Sequence, residues 1–329
     1  MKLNKSSSYV LLSLLSGATT ATEVAKQMNG VDVRSIQRAL MRLVEMGLIA
    51  KHGPRNSPSY SVSYAALLKA EIPEKLLEDE SRPQTTVNHG LMRWIQQANP
   101  QELASIFPLF AVTPAPGNNM TAKELEYLTV ELSWKSSALE GNTYTLLDTQ
   151  LLLLEGVKAK NKTEFETQMI LNHKTAIAFI VENKNLFSEN ISLSTVEELH
   201  KRIAYNLGID NGIRKKLVRI SASNYTPLAN PHQLKEYAVI VLTFINELGD
   251  PIQKALFALL LIPYLQIFED GNKRTGRMLS NAILISSIGR GFSLRSVSAK
   301  QLAIAYLAFY EFNSALPLQK ILAKELSDT

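Results

Sequence analysis

Apolar residues recur at helical spacing along most of this chain, and the pattern predicts a mostly helical protein. Three helices are predicted within residues 8–45, and Gly47 ends the third of them. Two short strand-like segments follow and flank a turn-rich loop at 53–59, which indicates a β-hairpin. Three helices and a hairpin are typical of a winged helix-turn-helix domain, here over residues 1–65, with 33–45 as the recognition helix and 53–59 as the wing.

The remainder of the chain divides where turn-forming residues cluster. Residues 66–119 are helical and charged and then become rich in proline, so they are interpreted as a helical connector. From 120 to 329 the helical spacing is almost continuous. The exception is residues 217–230, where two short segments suggest a hairpin.

Length and composition agree with a folded protein of more than one domain. The chain has 329 residues, of which 46% are apolar and 20% are charged. It contains no cysteine, which excludes disulfide bonds and thiolate metal sites. The apolar segment after Lys5 is short for a signal peptide and fits better as a first helix, so a cytoplasmic protein is expected. The apolar run 255–268 is too short to cross a bilayer and contains Pro263, so no membrane association is expected.

Positive charge is concentrated near the N-terminus. Residues 1–60 contain eight Lys and Arg against three Asp and Glu, and this difference of +5 equals the net charge of the whole chain. A basic first domain indicates an anionic partner. Arg34, Arg38 and Arg42 form a stripe on the polar face of the predicted recognition helix, where they can bind DNA. A solvated face and a surface for protein contacts stay open as alternatives.

The most informative segment is 266–277, with the sequence Gln-Ile-Phe-Glu-Asp-Gly-Asn-Lys-Arg-Thr-Gly-Arg. An apolar segment precedes it and an amphipathic one follows, so the order predicts helix, tight loop and helix. Gly271 lets backbone N–H groups approach an anion, and the following helix presents its free N–H groups to that anion. Arg274 and Arg277 can donate to phosphate oxygens, and Asp270 suits a Mg2+ ion carried by those phosphates.

This segment resembles the signature of the Fic (Fido) family, His-x-Phe-x-Asp/Glu-Gly-Asn-Gly/Lys-Arg-x-x-Arg, and it matches seven of the eight constrained positions. Most members of that family transfer AMP from ATP to a hydroxyl group of a protein. The resemblance implies a helical Fic core over 120–329 that binds ATP and Mg2+, with Asp270 as the metal ligand. The phosphate-binding positions that it implies are Gly271, Asn272, Lys273, Arg274 and Arg277.

The mismatched position is the family's first motif residue, a His that acts as general base and is Gln266 in this chain. Imidazole accepts a proton near pH 7, whereas a carboxamide cannot. A general base contributes about 10²- to 10⁴-fold to a rate, so AMP transfer is expected to be weak or lost. Neither this segment nor the next one contains a histidine, and no replacement base is proposed from the sequence.

A second segment, running from Ser136 to Gly141, is similar to the family's inhibitory motif Ser/Thr-x-x-x-Glu-Gly/Asn. In the family, the Glu of this motif reaches the second arginine of the phosphate loop and obstructs ATP. The resemblance therefore implies an inhibitory helix over 130–141 in which Glu140 pairs with Arg277. It also implies that the hairpin at 217–230 is a flap that docks a target protein by strand addition.

Two functions remain open at this point. In one, the chain is an autoinhibited protein adenylyltransferase with weakened chemistry. In the other, it is a nucleotide-responsive transcriptional regulator that binds DNA through residues 1–65. A homodimer is expected only by analogy with other members of the family.

Overall fold

The structure is a computed structural model of the chain, and it describes residues 3–28, 31–99, 115, 117 and 119–327. The described elements, in chain order, are α1 (Lys5–Leu15), α2 (Ala21–Gln27), α3 (Val33–Glu45), β1 (Ile49–His52), β2 (Ser59–Val62), α4 (Tyr64–Leu68), α5 (Glu74–Leu77), β3 (Thr85–Thr86), α6 (His89–Gln97), α7 (Ala122–Ala138), α8 (Leu146–Glu155), α9 (Glu164–Glu182), α10 (Asn185–Ser188), α11 (Leu193–Ala204), β4 (Tyr225–Thr226), α12 (Pro231–Glu247), α13 (Pro251–Leu265), α14 (Asn272–Ile288), α15 (Ala299–Phe312) and α16 (Leu316–Ser327).

The chain folds into two compact units, and each draws on separate stretches of sequence. The first unit takes residues 1–108, 218–227 and 300–319, and the second takes 109–217, 228–299 and 320–329. The division into 1–65, 66–119 and 120–329 stays a prediction. Part of the connector, including 100–114, lies outside the described residues.

The first unit begins with the three helices and the hairpin that the sequence predicts. Side chains fix the helix starts: Asn4 caps α1, Thr20 and Glu23 form a capping box at α2, and Asp32 caps α3. Strands β1 and β2 pair antiparallel, with Ile49 opposite Val62. The apolar faces of the three helices close one core, whose fully buried members include Val10, Leu11, Val24, Ile36, Leu40 and Leu43.

The hairpin predicted within 217–230 is not present. Within this segment the strand is Tyr225–Thr226, and it pairs in parallel with Thr85 and Thr86 rather than with a neighbouring strand of its own segment. Glu311 holds the preceding turn, because its carboxylate accepts hydrogen bonds from the side chain of Ser223 and the N–H of Asn224, both at 3.1 Å. Segment 217–230 therefore belongs to a short parallel pairing and not to a hairpin flap.

The second unit is built around α13 and α14, which are buried along almost their whole length. They approach closely where Gly276 faces Pro263, since a Cβ at Gly276 would lie 2.9 Å from two carbons of the proline ring. Helices α7, α9 and α11 pack around α14. The loop between α13 and α14, with α7 and α9 beside it, carries the candidate site.

The inhibitory helix differs from its predicted range of 130–141. Helix α7 begins earlier, at a capping box formed by Thr121 and Glu124, and it ends at Ala138. Glu140 and Gly141 lie in the turn that follows, because Gly141 adopts a left-handed φ of 90° that cannot continue a helix. Within the described part of the chain, no helix has the length and apolar character needed to span a membrane.

Candidate phosphate-binding site

The loop between α13 and α14 reverses the chain through two left-handed residues. Gln266 ends α13 with φ 51° and ψ 58°, and Gly271 precedes α14 with φ 78° and ψ 7°. No described side chain caps α14, so the N–H groups of its first turn are left for another acceptor. The helix dipole adds to these donors in favouring an anion here.

Asn272 fixes the shape of this loop with both ends of its side-chain amide. Its Oδ1 accepts from the N–H of Phe268 at 2.9 Å, and its Nδ2 donates to the carbonyl of Phe268 at 2.8 Å. Nδ2 also donates to Oε1 of Gln266 at 3.1 Å. The side chain of Asn272 is thus used within the loop, and its backbone N–H remains the group suited to an anion.

Gln266 is almost fully buried, and both the nitrogen and the oxygen of its amide are hydrogen-bonded. Nε2 donates to the carbonyl of Pro263 at 2.7 Å, and Oε1 accepts from Asn272. Arg214 holds the main chain at the same point, since its Nε donates to the carbonyl of Gln266 at 2.5 Å and its two amino groups donate to the carbonyls of Lys216 and Leu228. Position 266 therefore carries a hydrogen-bonded amide, and an amide does not take up a proton near pH 7.

Two buried arginines follow on the first turns of α14. The side chain of Arg274 is 3% exposed and donates to Asp270 at 3.2 Å, whereas that of Arg277 is completely buried. Among the described residues, neither Nη1 group has a hydrogen-bond acceptor. Burial lowers the pKa of Arg274, which shows the cost of holding its charge away from water. Such unpartnered donors are relieved by a bound anion.

Arg277 contacts the segment similar to the inhibitory motif, as the resemblance implies. Its Nη2 donates to the Glu140 carboxylate at 2.7 Å and to the carbonyl of Ser136 at 3.0 Å. Its Nε donates to the hydroxyl of Ser136 at 2.9 Å. The Glu140 carboxylate thus occupies the Nη2 donor of Arg277.

Two histidines that the sequence analysis left aside contact the site residues. His173 on α9 lies 2.8 Å from the Ser136 hydroxyl, and His200 on α11 stacks on the Phe268 ring at 3.7 Å and contacts the Asp270 carbonyl at 3.0 Å. Burial lowers the pKa of His173 to about 3 and that of His200 to about 4, so both rings are neutral at pH 7. In the sequence, the one feature that could have pointed to these two histidines is their position on the apolar faces of predicted helices.

The remaining predicted residues have different environments. Asp270 is 68% exposed, so its free carboxylate oxygen is open to a cation carried by phosphates. Lys273 is half-buried. No cluster of three or more metal-ligating side chains occurs among the described residues. In the first unit, Arg34 and Arg38 are exposed on α3 and Arg42 is half-buried.

Residues 190–284 match the model of the Fic/DOC family. Among curated proteins, the protein adenylyltransferase fic-1 of Caenorhabditis briggsae is 29% identical over 157 residues, which are 46% of this chain and 30% of that protein. The protein adenylyltransferase Fic of Nematostella vectensis is 27% identical over 155 residues, 46% of this chain and 36% of that protein. The chain therefore covers well under half the length of these relatives.

Two solved structures show the same fold. Residues 134–508 of Fic-1 from C. elegans superpose with a TM-score of 0.51 at 22% identity, over 73% of this chain and 70% of that one. A Fic domain containing signaling protein from Bacteroides thetaiotaomicron gives a TM-score of 0.51 at 19% identity, over 72% and 93%. The mostly helical Fic-type fold that the sequence predicts is confirmed, apart from the hairpin at 217–230.

Proposed function

We propose that this chain is a Fic-type ATP-binding protein whose transfer of AMP to a protein hydroxyl is restrained by Glu140 and weakened by Gln266. One arrangement carries the proposal. Two buried arginines, Arg274 and Arg277, each have an Nη1 group without a described partner, and they lie beside a helix start that has no side-chain cap. The Glu140 carboxylate already accepts from the Nη2 group of Arg277. This is a phosphate site with an internal competitor.

The nucleotide's contacts follow from these groups. The N–H groups of Asn272 and Lys273 at the start of α14 receive a phosphate, and Arg274 and Arg277 receive the distal phosphates. Asp270, whose side chain is 68% exposed, would hold a Mg2+ ion that accompanies the phosphates. The ion would supply charge neutralisation for the departing pyrophosphate. The likeness to named protein adenylyltransferases supports ATP as the ligand and a protein as the acceptor.

The step that this site assists least is the removal of the proton from the target hydroxyl. When a target hydroxyl oxygen attacks the α-phosphorus, pyrophosphate leaves and the hydroxyl proton must pass to an acceptor. Gln266 offers only an amide that is already bonded to Pro263 and Asn272. Positioning and electrostatic stabilisation remain available, whereas the assistance of a base, about 10²- to 10⁴-fold, does not.

The test is the transfer of label from ATP labelled in its α-phosphate, with Mg2+, to the protein itself. Glu140→Gly/Gln266→His is expected to label about 10²-fold or more faster than Glu140→Gly, because it regains a base. Glu140→Gly/Gln266→Asn is the control, since it changes the amide without adding a base. Labelling of Glu140→Gly at the rate of the His variant would refute the role assigned to Gln266.

A second function, DNA binding by the first unit, is favoured by the outer face of α3. Arg34, Gln37 and Arg38 are exposed there, and the β1–β2 hairpin follows as the wing of a winged helix would. Arg34→Ala/Arg38→Ala is expected to weaken binding of a labelled DNA duplex and to reduce the salt dependence of binding by about two charges. The control Lys123→Ala is expected to bind the duplex as the parent does. Equal affinities of the two variants in anisotropy titrations would contradict DNA binding by α3. A regulator also requires that ATP change the affinity for DNA.

Three further parts of the proposal come from the sequence analysis. A target protein docks at residues 217–230, as the family resemblance implies. A homodimer follows by analogy with the family, and a cytoplasmic location is proposed as well.

A further inference from the structure

We propose that Ser136 and His173 are positioning residues that hold the Arg277 side chain in the orientation needed to bind the distal phosphate of ATP. Residues 136–141 thus act on Arg277 in two ways: Glu140 competes with phosphate for its guanidinium, and Ser136 orients that guanidinium. This inference rests on the proposed function, because it needs ATP to bind at Arg277.

The donor and acceptor roles in this chain of contacts are fixed. The Nε of Arg277 can only donate, so the Ser136 hydroxyl oxygen accepts at 2.9 Å. The Met169 carbonyl, 2.8 Å from Nδ1 of His173, can only accept, so the single proton of the neutral ring sits on Nδ1. Nε2 is then the acceptor, and the Ser136 hydroxyl donates to it at 2.8 Å.

A neutral ring at position 173 is necessary for this arrangement. Burial lowers the pKa of His173 to about 3, and the charges of Arg274 and Arg277 act in the same direction. The ring therefore stays neutral at working pH, and Nε2 remains an acceptor. A protonated ring would direct a second donor at the Ser136 oxygen and compete with Arg277.

The guanidinium of Arg277 is divided between its two edges. Ser136 takes the edge formed by Nε and Nη2, with its hydroxyl and its carbonyl as acceptors. The outer edge, formed by Nη1 and Nη2, carries the bond to Glu140 and the Nη1 group that has no described partner. When Glu140 moves away, Ser136 still accepts from the Nε/Nη2 edge of Arg277. The Nη1/Nη2 edge can then donate two parallel hydrogen bonds to phosphate oxygens.

The test compares ATP and AMP affinities by calorimetry in the Glu140→Gly background. Adding Ser136→Ala is expected to weaken ATP binding about 10-fold or more, the effect of one hydrogen bond to a charged group. AMP binding stays unchanged, because AMP has no distal phosphate. Ser136→Thr keeps the hydroxyl and is expected to restore ATP affinity. His173→Phe, which removes only the acceptor behind Ser136, gives a smaller loss.

Ser137→Ala in the same background is the matched control. Ser137 is as buried as Ser136, but its hydroxyl lies 3.4 Å from Nδ1 of His173, whereas Ser136 supplies the hydroxyl that accepts from Arg277, so Ser137→Ala should leave ATP affinity unchanged. The inference is overturned if Ser136→Ala leaves ATP affinity unchanged, or if it weakens ATP and AMP equally. Failure of Glu140→Gly itself to bind ATP overturns the proposed function together with this inference.

Discussion

Replacing Arg82 with methionine is expected to destabilise the first unit much more than removal of an exposed cation. Nε of Arg82 donates to Glu311 at 2.6 Å and Nη2 donates at 3.2 Å, and the two side chains are 5% and 0% exposed. Glu311 also accepts from Ser223 and Asn224, so the pair fixes the turn before β4.

The magnitude follows from the burial of the partner that remains. Breaking a buried ion pair by removing one member costs about 3–5 kcal/mol, because the other charge is left without compensation. Ser223 and Asn224 would still donate to the Glu311 carboxylate, which places the cost of Arg82→Met near the lower end, about 3 kcal/mol. In Arg82→Met/Glu311→Leu the uncompensated charge is gone, so part of this loss should be regained, while Ser223 and Asn224 lose their acceptor.

Urea unfolding followed by circular dichroism at pH 7 measures this cost. Lys300→Met is the control: Lys300 pairs with Glu74 and Glu78 but is 67% exposed, so its loss should stay below about 1 kcal/mol. An Arg82→Met variant as stable as Lys300→Met would refute the argument that burial makes the Arg82 pair decisive.

Two further predictions concern the second unit. Acidification from pH 7 to 5 should lower the free energy of unfolding by about 2 kcal/mol for each of His173 and His200. In the unfolded chain these histidines bind protons near pH 6.5, whereas burial keeps their pKa values in the folded protein at about 3 and 4. Their contribution is complete above pH 6.5 and is lost as the pH falls below it, so urea midpoints that do not fall on acidification would contradict it. Gly276→Ala should cost about 1–2 kcal/mol, because the overpacking against Pro263 exceeds the gain in helix propensity. Gly249→Ala should not destabilise the protein, because a Cβ at position 249 meets open space. Equal stabilities of the Gly276→Ala and Gly249→Ala variants would refute the close packing at Gly276.

Local patterns were sufficient to predict much of the first unit. The capping box at Thr20 and the apolar face of residues 33–45 define α2 and α3, and the turn at 53–59 places the hairpin. In the second unit, the order of apolar and turn-forming residues predicted the loop between α13 and α14, and phosphate binding there stays a prediction. The contact between Glu140 and Arg277 was implied by the family resemblance and is present at 2.7 Å.

Long-range contacts account for what the sequence could not predict. A two-residue strand has no periodicity, so nothing in the sequence links Thr85 and Thr86 to β4. His173, His200 and Arg214 are polar side chains on segments remote from residues 266–277. Only folding brings His200 and Arg214 to the loop and His173 to Ser136. Their roles depend on donors and acceptors supplied by other segments.

The central claim is that Glu140 competes with ATP for Arg277, and calorimetric titration of the parent and Glu140→Gly with ATP and Mg2+ tests it most directly. Glu131→Gln is the matched control, because Glu131 lies on α7, shortly before Glu140, and pairs with an arginine, Arg295, at similar exposure, 27% against 24% for Glu140. Glu140→Gly is expected to bind ATP about 10-fold more tightly than the parent, from the loss of one charged hydrogen bond at a partly exposed site. Glu131→Gln should match the parent. Equal ATP affinities in the parent and Glu140→Gly, or no binding in either, would contradict the account.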